Sequence, residues 1–150
     1  MTDILTPQQR SHMMSRVKNR DTKIETMIRS LLHRRGFRFR KNASDLPGRP
    51  DITLPKYKAV ILVHGCFWHG HTCNKGKLPS TRLEFWSKKI AENQGRDKYI
   101  LSQLHNSGWR IAVVWECSLR NKTQQVTTIE QLCNWINSDV SYFEVPNYPD

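Results

Sequence analysis

Pro50-Asp-Ile-Thr-Leu-Pro-Lys-Tyr-Lys-Ala-Val-Ile-Leu-Val63 is the stretch on which the fold turns. Asp51 to Leu54 read as extended chain, stopped by Pro55 and turned at Lys56-Tyr57-Lys58. Ala59 to Val63 is then an unbroken apolar run, the pattern of a strand buried on both faces. Such a strand needs cover on each side, and the flanking chain supplies it. Upstream, Asp21 or Thr22 caps a helix, and Thr22-Lys-Ile-Glu25 has capping-box spacing. Ile24, Met27, Ile28, Leu31 and Leu32 form one apolar stripe, and Arg34, Arg35 and Gly36 make a basic last turn and a stop.

Phe37 to Arg40 alternates apolar and basic residues and predicts a half-buried strand; residues 42–50, with Pro47, Gly48 and Pro50, predict a loop. Downstream, residues 64–80 read as an irregular loop and 81–106 as two helices, or one broken near Gly95. Trp109 to Trp115 is a second buried strand, Ile129 to Ile136 a last helix, and the tail after Ser138 is expected to be loosely held. The order is helix, three strands, helix, strand, helix. That predicts an α/β protein with a mixed sheet flanked by helices. Residues 21–150 are expected to form one domain, preceded by a basic arm over residues 1–20 with a short helix near 8–18.

The chain has 150 residues, 37% hydrophobic and 25% charged, enough for one continuous core. No stretch has the roughly 20 apolar residues of a membrane span, and the N-terminus has no secretory pattern, so a soluble intracellular protein without membrane association is expected. Net charge is +11, unevenly spread: residues 1–50 carry 12 basic and 4 acidic groups, 51–100 carry 9 and 4, and 101–150 carry 3 and 5. The excess lies where a polyanion would bind. Five tryptophans add the stacking surface that nucleic acid uses. The four cysteines, in a reducing compartment, read as metal ligands or core thiols rather than disulfides.

The densest chemistry is His64-Gly-Cys-Phe-Trp-His-Gly-His-Thr-Cys73, placed directly after the buried strand. Cys66, His71 and Cys73 have zinc-ligand chemistry, with Cys117 closing the site from the end of the second buried strand. Spacing alone leaves open which of His69 and His71 binds, and ordinary core thiols with surface histidines would read the same way. Asp51 follows Pro50 into a hairpin, the first half of the Pro-Asp…(Asp/Glu)-x-Lys nuclease pattern in which an acid holds Mg²⁺. The second half is missing: Leu62-Val-His64 stands in its place. Glu25 has two readings, a reciprocal cap or an active-site acid. Asp97 likewise is a solvated helix charge or a carboxylate orienting a histidine base. Phe67 and Trp68 are consecutive in a Gly- and His-rich loop, so at least one is expected to be exposed and fit to wedge between bases.

At Asp45-Leu-Pro-Gly-Arg-Pro-Asp51, His64 to His69 with Cys73, Pro79 to Trp86, Arg96-Asp97 and Gly108 to Cys117, the chain closely resembles the bacterial very-short-patch mismatch repair endonucleases. The likeness spans roughly residues 10–120 in order and without evident gaps. It implies a restriction-endonuclease-like core that nicks DNA beside the T of a T:G mismatch formed by deamination of 5-methylcytosine. By resemblance, Asp51 holds Mg²⁺ together with the main-chain carbonyl of Val63. His69 is the base, Asp97 orients it, His64 serves the leaving group or phosphate, and Glu25 supports the metal's water shell. Cys66, His71, Cys73 and Cys117 become a structural zinc site. Phe67, Trp68 and Trp86 intercalate, and Met14 of the arm lies in the minor groove. The family's expected residue at position 63 is threonine, whereas this chain has Val63; a carbonyl role survives that change and a hydroxyl role does not. The implied partners are mismatched double-stranded DNA and a mismatch-repair accessory protein, with the chain a cytoplasmic monomer.

Overall fold

Thr22 starts the first helix, α1 (Lys23–Arg34), with a complete capping box: its hydroxyl accepts the Glu25 amide at 3.3 Å while the Glu25 carboxylate accepts the Thr22 amide at 3.1 Å. The computed structural model describes residues 22–146. The arm over residues 1–20, with Met14 and the helix expected near 8–18, lies outside the described residues. Ile28 and Leu32 of the α1 stripe are fully buried.

Among the described residues five strands form one sheet in the order β1 (Arg40–Lys41), β2 (Ile52–Leu54), β3 (Ala59–His64), β4 (Arg110–Trp115) and β5 (Tyr142–Val145). The first two pairings are antiparallel and the last two parallel, so the sheet is mixed. The strand expected at Phe37–Arg40 shrinks to Arg40–Lys41. The Phe37 amide instead bonds back to the Leu32 carbonyl at 3.2 Å, so the helix exit occupies the donor that a ladder would need. β2 and β3 form the expected hairpin, through a single 3₁₀ turn at Pro55–Tyr57.

A long helix, α2 (Leu83–Asn106), crosses from β3 to β4 without a break. The interruption expected near Gly95 does not occur, and a side chain at that position would meet nothing. Glycine there weakens the helix by about 1 kcal/mol relative to alanine but forces no kink. The last helix, α3 (Lys122–Ile136), begins well before Ile129, capped by Asn121, whose side chain accepts the Gln124 amide at 2.9 Å. Its first turns are Lys-Thr-Gln-Gln and show no apolar stripe.

The chain after Ser138, expected to be loosely held, forms β5 within its described residues, parallel to β4. Arg110 fastens it, its guanidinium donating to the Val140 carbonyl at 3.0 Å and to the Ile136 and Trp135 carbonyls at 3.1 and 2.6 Å. Alternation along β3 and β4 divides the core. Ile61, Ala112 and Val114 pack under α1 and α3, while Val60, Leu62, Ile111 and Val113 face Leu104 and Ile100 of α2. The two parallel strands therefore end together, with His64 opposite Trp115, at the edge where the chemistry collects.

Candidate active site and metal centre

A cavity of about 360 Å³ opens at the carboxyl end of β3, with Glu25, Asp51, His64, His69 and Asp97 in its walls. Each comes from a different place: Glu25 from α1, Asp51 from the residue before β2, His64 from the last position of β3, His69 from the following loop and Asp97 from α2. Strand ends and a mid-helix turn are rigid supports, which is what a reacting centre requires.

Asp51 lies between two walls. One carboxylate oxygen accepts the Val63 amide at 2.7 Å. Burial pushes its pKa up to about 7, and the neighbouring, hydrogen-bonded Glu25 carboxyl adds to that push against the opposing pull of the Val63 amide. Glu25 is thus the reciprocal cap, and its carboxyl also lies in the cavity wall. Arg29, buried one turn further along α1, sits 3.8 Å from Glu25 and donates to the Asp51 carbonyl at 3.0 Å. Sequence reasoning passed over Arg29. Its signal was a charged pair at i, i+4 with Glu25 beside the buried positions Ile28 and Leu32.

On the opposite wall, His69 Nδ1 donates to Asp97 at 2.6 Å, the arrangement that leaves Nε2 free to accept a proton. The His64 and His69 rings stack face to face, 3.9 Å apart and 3° from parallel. Burial, helped by the neighbouring His69, lowers His64 to about 3, so it is a neutral ring at physiological pH. The donor atoms of His64, His69 and Asp97 lie within 4.8 Å of one another. Parallel rings, however, direct their in-plane lone pairs along parallel planes, which cannot converge on one ion without rotation.

Behind that pair, the donor atoms of Cys66, His71, Cys73 and Cys117 also lie within 4.8 Å, with Cys117 Sγ 3.5 Å from His71 Nδ1. None of the four cysteines is in a disulfide, and Cys133 is an ordinary core thiol of α3. Burial pushes the Cys66 thiol up to about 12; a thiolate in such a place calls for a cation. Gly76 permits the loop to close, because the His71 carbonyl occupies the space that a side chain would fill. Three thiols and an imidazole can hold a metal; of the two histidines, His71 lies with the thiols and His69 with Asp97.

Trp115, the last residue of β4, separates the two centres. It stacks on His71 at 4.1 Å and meets His64 edge-on at 5.0 Å, while its indole N–H donates to Glu144 of β5 at 2.7 Å. Phe67, Trp68 and Trp86 form a triangle with centroids 5.2–5.8 Å apart. Neither Phe67 nor Trp68 is exposed as expected: packing against each other and buried Trp86 leaves both half-buried; beside Trp86, Phe85 is exposed, with Arg82 over its ring at 4.4 Å. Asn93 donates to the Trp68 carbonyl at 2.9 Å, tying the aromatic loop to α2.

A family model described as "DNA mismatch endonuclease Vsr" matches residues 2–75. The DNA mismatch endonuclease Vsr of Escherichia coli is 45% identical over 139 residues, covering 91% of this chain and 88% of its own length. The chain belongs to the Vsr family. Two further Vsr relatives carry other names. The type II nicking enzyme V.XorIIP of Xanthomonas oryzae is 50% identical over 79% of this chain and 88% of its own. V.NmeAIP of Neisseria meningitidis, also a type II nicking enzyme, is 47% identical over 81% and 87%. As a Vsr member the protein is an endonuclease, a phosphodiester hydrolase with a restriction-endonuclease-like α/β core. No helix among the described residues is long and apolar enough to cross a membrane.

Proposed function

We propose that this Vsr protein nicks one strand of duplex DNA beside the T of a T:G mismatch left by 5-methylcytosine deamination, opening a short repair patch. The observation that carries the reading is the His69–Asp97 pair facing the Asp51–Glu25 carboxyls across one cavity. A carboxyl held up near 7 beside a second acid is a site short of positive charge, and its hard oxygen donors fit Mg²⁺. Asp51 and the Val63 carbonyl would hold that ion. Three cysteines and one histidine in tetrahedral-sized proximity fit Zn²⁺, held for structure by Cys66, His71, Cys73 and Cys117.

Bound magnesium supplies Lewis acidity at the phosphate and a more acidic water. The protein's own groups do the rest. Asp97 fixes the His69 tautomer and stabilises the imidazolium formed when Nε2 takes the proton of the attacking water. His64, a neutral ring, hydrogen-bonds the phosphate or the leaving oxygen, and the leaving oxygen takes its proton from the surrounding water. Glu25 accepts a hydrogen bond from the water shell around Asp51. Phe67, Trp68 and Trp86 wedge beside the mismatch, where unstacking costs least because the T:G wobble stacks poorly. The described residues, 22–146, act as a single monomeric domain. It works in the cytoplasm alongside a mismatch-repair accessory protein.

Nicking of end-labelled duplexes with Mg²⁺ tests this. The T strand of a T:G duplex is cut and the matched duplex is not. Equal cutting of both would make the protein a restriction-like nuclease. Folded, metal-loaded protein that cuts neither would make it a binding module.

A further inference from the structure

Four non-glycine residues among those described adopt the left-handed backbone: Asn42, Arg49, Lys58 and Arg82. That conformation disfavours side chains, so each needs a compensating contact. Three have one. Asn42 accepts from Arg29 at 3.3 Å, Lys58 lies over the Trp109 ring at 4.3 Å, and Arg82 lies over Phe85 at 4.4 Å. Arg49, at φ 46°, has no hydrogen bond, ion pair or ring contact for its guanidinium among the described residues. It is exposed and lines the cavity that holds Asp51.

Arg96 faces the same cavity from α2, on one helical face with Asn93, Asp97 and Ile100, and it too has no partner among the described residues. The two walls are locked together. A side chain at Gly48 would come within 2.5 Å of Ile100 Cγ2, so the turn carrying Arg49 rests directly on the helix carrying Arg96. Two unpaired guanidinium groups thus stand on a fixed frame at the mouth of a cavity rich in acids and histidines.

Building on the nuclease reading, we propose that Arg49 and Arg96 grip backbone phosphates of the strand being nicked, on either side of the bond over Asp51. Guanidinium is the natural donor fork for phosphodiester oxygens, and phosphate contacts set position along the strand without reading sequence. The strain at Arg49 is then retained for a DNA contact, since nothing within the described fold uses that side chain.

The test is fluorescence-anisotropy binding of T:G and matched duplexes over a KCl series with no divalent cation added, using zinc-loaded wild type, Arg49→Gly and Arg96→Gln. Each variant binds both duplexes about tenfold more weakly, so discrimination between them is unchanged. Each also lowers the slope of log affinity against log salt by about 0.9, the signature of one lost phosphate contact. Arg49→Gly melts at or above the wild-type temperature, because glycine accepts the left-handed backbone. A fall in melting temperature with an unchanged salt slope would show Arg49 to be structural and overturn the proposal. A loss confined to the T:G duplex would make these residues mismatch readers and overturn it equally. Failure of the wild type to nick any duplex would sink the parent reading instead, while the binding slopes would still decide the phosphate grip.

Discussion

Replacing Asp51 by Asn should make the metal-free site more stable at pH 8 while abolishing activity. Asn keeps the shape and its carbonyl can still accept the Val63 amide, which sits 2.7 Å from the carboxylate. Its amide can donate to Glu25, which Asp51 can do only when protonated. The magnitude follows from acidity. Asp51 is raised from 3.8 to about 7, first by burial and then by Glu25, so the folded protein holds a proton that the unfolded chain has released across that window. Stability from this group is therefore complete below about pH 4 and is lost as pH rises through about 7. A displacement of that size corresponds to about 4 kcal/mol at pH 8. Because Glu25 contributes only part of that displacement, Asp51→Asn should recover about 2–4 kcal/mol, raising the melting temperature by roughly 5–15 °C at this chain length. At pH 4 the two proteins should melt together. The assay is urea or thermal denaturation of the zinc-loaded proteins from pH 4 to 8.5, with and without Mg²⁺. Magnesium should stabilise wild type at pH 8 and leave Asp51→Asn unmoved. An Asn variant no more stable than wild type at pH 8, or equally stabilised by magnesium, would refute the argument that a buried, charge-deficient carboxyl pair defines this site.

The other outcomes are more direct. Cys73→Ser should lose the bound metal and several kcal/mol of stability, whereas His69→Ala should retain about one zinc per chain by metal analysis; zinc loss in the histidine variant would exchange the roles of His69 and His71. Asp97→Asn should lower the nicking rate about 100-fold or more with little change in duplex affinity, and an equal loss of affinity would assign Asp97 to DNA binding. Trp68→Ala should weaken discrimination between T:G and matched duplexes more than total binding, measured as the ratio of the two affinities; equal losses would count against a wedge. Glu144→Leu removes the acceptor of the Trp115 indole and should lower the melting temperature by several degrees, since a buried donor is left unpaired at about 1–3 kcal/mol; an unchanged melting temperature would mean that the indole finds another acceptor.

Local pattern was enough for much of this molecule. The capping box at Thr22 and Glu25, the hairpin from Asp51 to Val63 and the block from His64 to Cys73 all act over distances shorter than one element. Periodicity and turn chemistry encode such pieces directly. Where local pattern was weak, reading failed: β5 is four residues long, and its anchoring depends on Arg110, some 30 positions earlier. The start of α3 was missed for the same reason, its polar first turns being held by a cap rather than a stripe.

Residue types alone also supplied the charge excess over residues 1–100 and the donor chemistry of both centres, because those are properties of composition. Only the folded chain settled their use. Asp51 meets Glu25 across 26 positions, His69 meets Asp97 across 28, and His71 meets Cys117 across 46. Whether a carboxyl is raised, a histidine neutral or an arginine unpaired depends on desolvation and on charges a few ångströms away. Those distances exist only after the sheet has brought the strand ends together.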